Sequence, residues 1–295
     1  MKAAKTLLVL VSILLVAGEV ALRIRGPWVR PLYEADTRYE YRLKPMQHTR
    51  NGTANIITNA FGMRSGPVAA KKGKRVLIIG DSVISGMEWV DNDSLATSLL
   101  ETLLSDRLGM QVQVLNASSP SWGPDNAAAF LEAYGLFDAD IIVGVWNSDD
   151  FSDRMGFEAV VGHNPYFRNS QRLLAWGHAW DEFLIRTGRA GAFPDGPPGF
   201  NTGWYSLREL AAEAGIPFTV VMHPRVSERQ AGAWAQQGTA LNDSLAVWGV
   251  PATTTWNALD EGHYADDIHL SVAGQAALAQ FLVGHIEKAF ARAAE

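Results

Sequence analysis

Apolar residues follow two rhythms along this chain. From Lys74 onward, short apolar runs alternate with stretches in which apolar residues return every three or four positions. The runs at 76–79, 112–115, 141–145, 218–222 and, more weakly, 253–255 predict strands. The first is apolar throughout, as a strand buried on both faces of a parallel sheet is. Between them Leu95, Leu99 and Leu103, with Leu100 and Leu104, trace one helix face after an expected cap at Asn92 or Asp93. A second helix covers 127–134. A third carries Leu207, Leu210 and Ala211 and ends at Gly215. A fourth carries Trp234, Leu241, Leu245 and Trp248 and ends at Gly249. The last starts near Ser271 and holds Leu278, Leu282, Ile286 and Phe290. Strict β–α alternation predicts an α/β fold with three layers, α/β/α, about a central parallel sheet of about five strands.

Before Lys74 the pattern is irregular. Brief strands are expected at 39–43 and 54–58, a turn at Asn59-Ala60-Phe61-Gly62-Met63-Arg64, and an exposed linker at Lys71-Lys72-Gly73-Lys74. This segment, 26–73, is too small for a core of its own and is expected to pack on the main domain, 74–295. Residues 1–25 differ in kind. A basic start (Lys2, Lys5) leads into residues 6–18, apolar apart from Thr6 and Ser12, and Glu19 then interrupts. The run is shorter than the roughly 20 residues of a full span and fits a signal peptide, with Val16-Ala17-Gly18 as a cleavage site. If Glu19 sits at the membrane boundary, the helix extends to Leu22 and becomes an uncleaved anchor. Either way the chain is expected to be exported, to the periplasm or cell envelope.

Composition narrows the partners. Of 295 residues, 47% are hydrophobic, enough for a substantial core, and the net charge is −6 with no basic stripe to hold nucleic acid. The absence of cysteine removes disulfides, thiolate metal sites and a cysteine nucleophile. No cofactor is expected.

Ligand sites in doubly wound sheets lie beyond the carboxyl ends of the strands. Gly80-Asp81-Ser82 follows the first apolar run, and Asp266-Asp267-Ile268-His269 precedes the last helix. A serine hydroxyl is a poor nucleophile until a base within hydrogen-bond reach takes its proton, and its oxyanion needs donors. Ser82 is the expected nucleophile, with its own N–H as one donor. His269 is the base, and Asp266, three residues before it, orients the imidazole. His263, Asp266, Asp267 and His269 also have metal-ligand spacing, but no metal is expected. His223 and Arg225, after the fourth strand, are candidates for binding an anionic substrate group. Trp122 and Trp146 are candidates for stacking on sugar rings. Trp176, Trp180, Trp234 and Trp248 sit in helical patterns and are expected in the core. Residues 188–203, rich in Gly and Pro, read as a surface excursion, and 162–203 as a stretch that shapes specificity like a lid.

With these residues in place, the chain resembles the SGNH (GDSL-like) hydrolase family, in an exported or membrane-tethered form. Gly80-Asp81-Ser82 is similar to its first block and Asp266-x-x-His269 to its last. Glu19-Val20-Ala21-Leu22-Arg23 and Asn59-x-x-Gly62-x-Arg64 are similar to patterns in tethered members. The resemblance implies the SGNH, flavodoxin-like variant of the α/β fold. It implies an oxyanion hole completed by the second and third blocks. The second-block glycine aligns with Ser121, whose N–H serves only if serine adopts the local backbone geometry. The third-block asparagine aligns with Asn147, offset by a residue or two, or in another register with Asp149, whose charge would repel an oxyanion. The implied activity is a serine esterase acting on an acylated carbohydrate or short-chain ester. The alternatives are an O-acyltransferase passing the acyl group to an exported glycan, and a catalytically silent binding protein.

Overall fold

The computed structural model describes residues 2–25, 29–191, 193, 196 and 199–293. The chain opens with helix α1 (Lys2–Ile24). Two antiparallel hairpins follow, β1 (Tyr33–Asp36) with β2 (Glu40–Leu43), and β3 (His48–Asn51) with β4 (Ala54–Ile57). Strand β5 (Lys74–Gly80) then begins a regular succession: α2 (Ser82–Ser85), α3 (Ala96–Leu108), β6 (Val112–Ser118), α4 (Pro124–Tyr134) and β7 (Ile141–Asn147). After α5 (Ala175–Arg186) and α6 (Gly203–Glu213) come β8 (Phe218–His223), α7 (Val226–Ala231), α8 (Gln236–Val247), β9 (Ala252–Thr254) and α9 (Val272–Ala293).

Strands β5 to β9 form one parallel sheet in the order β6-β5-β7-β8-β9. Alternate residues of β5 face opposite layers. Leu77 and Ile79 join a core with Phe130 of α4, Leu207 of α6 and Leu241 of α8, into which the hairpin tyrosines Tyr33, Tyr39 and Tyr41 also pack. Val76 and Ile78 join a second core with Leu100 and Leu104 of α3 and Leu278, Leu282 and Ile286 of α9. Burial on both sides is why the strand reads as an unbroken apolar run, and the fold is the three-layer α/β/α arrangement anticipated. Register fixes the site. Gly80 lies level with Ser118 and Val145, and Asn147 level with His223, so the chain leaves all these strands at one edge.

Several local expectations give way. Helix α3 is not capped by Asn92 or Asp93. Those residues form a short 3-10 turn capped by Asp91, and the N–H of Ala96 donates instead to the Gln275 side chain of α9 at 2.9 Å. Trp234 precedes α8 rather than lying on it. Strands β1 and β3, and helix α7, fall where no periodicity marked them. Trp176 and Trp180, expected in the core, stand 44% and 57% exposed on α5. Within the excursion at 188–203, residues 192, 194, 195, 197 and 198 lie outside the described residues, as do 26–28 in the N-terminal segment.

Helix α1 runs through Glu19 without a break. Its carboxylate pairs with Arg23 one turn on (2.7 Å) and accepts the N–H groups of Ala175 and Trp176 at 2.8 and 3.1 Å. The helix is long and apolar enough to cross a membrane, and none of its residues is buried.

Candidate active site

Strand β5 delivers Ser82 to the sheet edge. Asp81 caps α2 by accepting the Val83 N–H at 2.8 Å, which turns the chain sharply so that Ser82 opens the helix. Gly80 permits the turn, because a Cβ there would strike the Val145 carbonyl and Ile84. His269 Nε2 lies 2.9 Å from Ser82 Oγ, and its Nδ1 lies 2.7 Å from Asp266 Oδ2. The other oxygen of Asp266 accepts the N–H groups of Ile268 (2.9 Å) and His269 (2.7 Å), closing the tight turn that Asp-x-x-His promised. Burial pushes the Asp266 carboxyl up. The His269 N–H, its imidazole and the Ile268 N–H outweigh that and hold it below the usual value, so it is ionised at neutral pH.

The remaining acids of this segment turn away. Asp267 accepts the Ser227 N–H and hydroxyl at 2.8 and 3.1 Å, and His263 pairs with Asp260. Among the described residues, no three metal-ligating side chains gather.

Ser121 stands in the left-handed region at φ 56°, the conformation that favours glycine. Tyr41 holds it there by donating its hydroxyl to the carbonyls of Pro120 (2.8 Å) and Ser121 (3.2 Å). With the Pro120 carbonyl turned to Tyr41 in the core, a trans peptide puts the Ser121 N–H on the opposite side. Ser121 itself lines the cavity that holds Ser82. Asn147 ends β7 in the same cavity. One of its amide N–H bonds donates to Asp81 Oδ2 at 2.7 Å, and its own backbone N–H donates to Asp150 Oδ2 at 2.7 Å. Its second amide hydrogen meets no acceptor among the described residues. Asp149 does not take this place, since its carboxylate pairs with Arg225 at 2.8 Å.

Beneath Asn147 two carboxyls are buried together. Burial pushes Asp81 up to about 6, against the pull of the Val83 N–H, the Asn147 amide and the His269 charge. Asp150 is pushed well above the usual range by burial and by the neighbouring Asp81.

Four candidates do not face the cavity. Trp122 and Trp146 are 1% and 0% exposed; Trp122 donates its indole N–H to the Tyr41 carbonyl, and Trp146 packs on Trp204, so neither offers a face to a sugar. His223 is fully buried. Burial lowers it to about 4, leaving it neutral, and its Nε2–H donates to the Ile268 carbonyl at 3.0 Å while Tyr264 stacks on its ring. It braces the His269 turn instead of meeting an anion. Arg225 is committed to Asp149 at 2.8 Å and lies 4.0 Å from Asp267, so it ties the Asn147 loop to the His269 loop.

Sequence reasoning assigned no role to Tyr41 or to Arg64. The buried Arg64 guanidinium donates to the carbonyls of Ser85 and Met87 (both 2.7 Å), Val90 (2.6 Å) and to Asn92 (3.0 Å). It thereby shapes the loop after α2, which puts Met87 in the cavity and the Trp89 ring almost at right angles to the His269 ring, 5.7 Å between centroids. The Asn59 turn was the visible signal, because its Oδ1 accepts the Phe61 and Met63 N–H groups and aims Arg64 inward.

The cavity measures about 500 Å³. Beside Ser82, Ser121, Asn147 and His269 it presents Asp149, Ser152, Asp153 and Gln237, with Met87 and Phe193 as apolar lining. The arrangement has the parts for attack on a carbonyl carbon: a hydroxyl against an imidazole, an ionised carboxylate behind it, and donors at or beyond the ends of β6 and β7, the strands on either side of β5.

No protein-family model matches the chain, and no curated protein matches it. Among solved structures it is similar to a lipase/acylhydrolase from Enterococcus faecalis, at 18% identity over 73% of this chain and 96% of that one, with a TM-score of 0.44. A carbohydrate acetylesterase from Sinorhizobium meliloti is similar at 12% identity over 73% and 99%, TM-score 0.41. A lipolytic protein described as of the G-D-S-L family, from Desulfitobacterium hafniense, is similar at 11% over 72% and 98%, TM-score 0.40. At these values the activities of those proteins do not carry over to this chain.

Proposed function

We propose that this chain is a serine ester hydrolase of the SGNH type, working through an acyl-enzyme on Ser82. The single observation that carries the reading is the continuous chain from Ser82 Oγ to His269 to Asp266, at 2.9 and 2.7 Å, opening on the cavity. Ser82 Oγ attacks the ester carbonyl carbon as His269 Nε2 takes its proton. The oxyanion is met by the N–H of Ser82, the N–H of Ser121 and the second amide hydrogen of Asn147. Collapse breaks the bond to the alcohol, and His269 returns the proton to it. Water then attacks the acyl-enzyme and gives its proton to His269; the bond from the acyl carbon to Ser82 Oγ breaks, His269 returns the proton to Oγ, and the carboxylic acid leaves. Asp266 keeps the proton on Nδ1 throughout and stabilises the imidazolium.

The lining favours a neutral, hydroxyl-rich alcohol carrying a small acyl group, such as an acylated sugar. Ser152 donates to Gln237 at 2.7 Å, which leaves the Gln237 amide N–H groups and the Ser152 oxygen to bond a neutral polar substrate. Recognition of a sugar would rest on these polar groups, with the tryptophans removed from consideration. Helix α1 is read as a retained anchor at the membrane across which the body is exported. Its contacts with α5 support retention over cleavage.

The test is hydrolysis of a short-chain chromogenic ester and of an acetylated sugar by the full chain in detergent. Ser82→Ala should abolish turnover, and His269→Ala should lower it by about 10²–10⁴. Turnover that survives Ser82→Ala would remove the mechanism. Product masses with an oligosaccharide acceptor present would separate hydrolysis from transfer of the acyl group.

A further inference from the structure

Helix α5 is amphipathic in an unusual way. One face is tied to the body by charge: Asp181 pairs with Arg172 at 2.7 Å and lies 3.7 Å from Arg168, and Glu182 pairs with Arg30 at 2.7 Å. The other carries Trp176, Trp180 and Phe183, one helical stripe with Trp180 stacked on Phe183, and is preceded by Leu173 and Leu174. These residues are 44–57% exposed, and Leu173 reaches 89%.

The same helix is seated on α1. Glu19 accepts the first two N–H groups of α5, Arg23 donates to the Leu173 carbonyl at 2.9 Å, and the Trp176 indole donates to the Leu15 carbonyl at 3.0 Å. Gly18 makes room, since a Cβ there would run into the Trp176 ring. Leu15 lies inside the apolar stretch of α1, about one helical turn before Glu19. The medium that covers the exposed side chains of α1 at that depth must also cover what is packed beside it.

We propose that the aromatic face of α5 is a membrane-docking surface, lying in the headgroup–acyl boundary of the bilayer that α1 spans. Trp and Phe on one face, with charge on the other, suit a helix lying in the interface plane; Arg186 in its last turn, 3.6 Å from Glu182, keeps its side chain 74% exposed. The docking has a consequence for the site. Arg30, held by Glu182 of α5, also pairs with Glu88 at 2.5 Å, between Met87 of the cavity and Trp89 on His269. The bilayer surface is thus linked by two ion pairs to the loop that bounds the catalytic cavity, fixing the distance of that cavity from the membrane.

The inference rests on α1 being a retained span, and the experiment separates the two. The chain has no cysteine, so single substitutions Leu173→Cys, Trp180→Cys and Phe183→Cys, with Val247→Cys on α8 as reference, take a spin label at one place each. The full chain is reconstituted in phosphatidylcholine/phosphatidylglycerol vesicles, and each label's collisions with oxygen and with a water-soluble nickel chelate are compared. Labels at 173, 180 and 183 should favour oxygen, while the label at 247 favours nickel. Leu173→Cys removes no packed side chain, so a folding defect at the aromatics leaves the result readable. Nickel access at 173 and 180 equal to that at 247, in protein resisting carbonate extraction, would overturn the docking alone. Extraction by carbonate would overturn the anchor and the docking together. Shielding from both reagents with spin–spin broadening would mean that a second copy covers the face, and would overturn the lipid assignment.

Discussion

Ser121 puts a β-carbon where the backbone is left-handed, at a cost of about 1–2 kcal/mol. If its N–H is what matters, Ser121→Gly should keep turnover and raise stability by about 1 kcal/mol, and Ser121→Ala, which removes only the hydroxyl, should keep turnover as well. Paired kcat and denaturant measurements decide this; a loss of about 10²–10³ in kcat in both variants would assign the work to the hydroxyl. Asp150 makes a prediction of opposite character. Its carboxyl is raised in the folded state, so folding favours the protonated form. That contribution is whole below the ordinary value of 3.8 and is lost as pH rises toward the folded value. Asp150→Asn keeps an acceptor for the Asn147 N–H and cannot ionise. Its Tm should match the parent near pH 3.5 and exceed it at pH 8; a gap that stays constant with pH would show that Asp150 carries no buried charge. Both arguments concern residues whose types were visible in the chain. Their surroundings were not: His223 and Arg225 looked like anion binders because they follow a strand end, and only packing reveals that each is already bonded.

Among elements, the central strands β5 and β7 were the most legible because burial on both faces leaves a run with no polar interruption. The catalytic candidates were legible for a related reason, since strand ends in parallel register gather at one edge. The caps were not: α3 takes its cap from Gln275, which is 179 residues away and also donates to the Val83 carbonyl at 2.8 Å. Helix α5 was illegible in the same way. Helical spacing identifies which face is apolar and says nothing of what covers it, so Trp176 and Trp180 were assigned to a core they do not enter. The loop after α2 depends on one side chain from another element. Arg64→Met leaves three carbonyls without their donor and should cost of order 3 kcal/mol. Turnover should fall with it, as Met87 and Trp89 lose their support. A urea melt showing unchanged stability would mean that the loop holds itself.

For the molecule as a whole, the hairpins and the segment just before them are part of the site's construction. Tyr41 sets the Ser121 peptide from one side, and Arg30 joins α5 to the loop beside His269 from another. The α/β/α body supplies the strand edge, while the first seventy residues trim it. This division explains what the sequence disclosed: periodic burial can be read along the chain, and contacts between its two ends cannot. The central claim remains that Ser82 forms a covalent bond during turnover. Intact-protein mass after treatment with a phosphonate ester, followed by peptide mapping, addresses it most directly. The account predicts one adduct, on Ser82, absent in Ser82→Ala and formed much more slowly in His269→Ala. A folded parent that takes no adduct, or takes it on another residue, would contradict it.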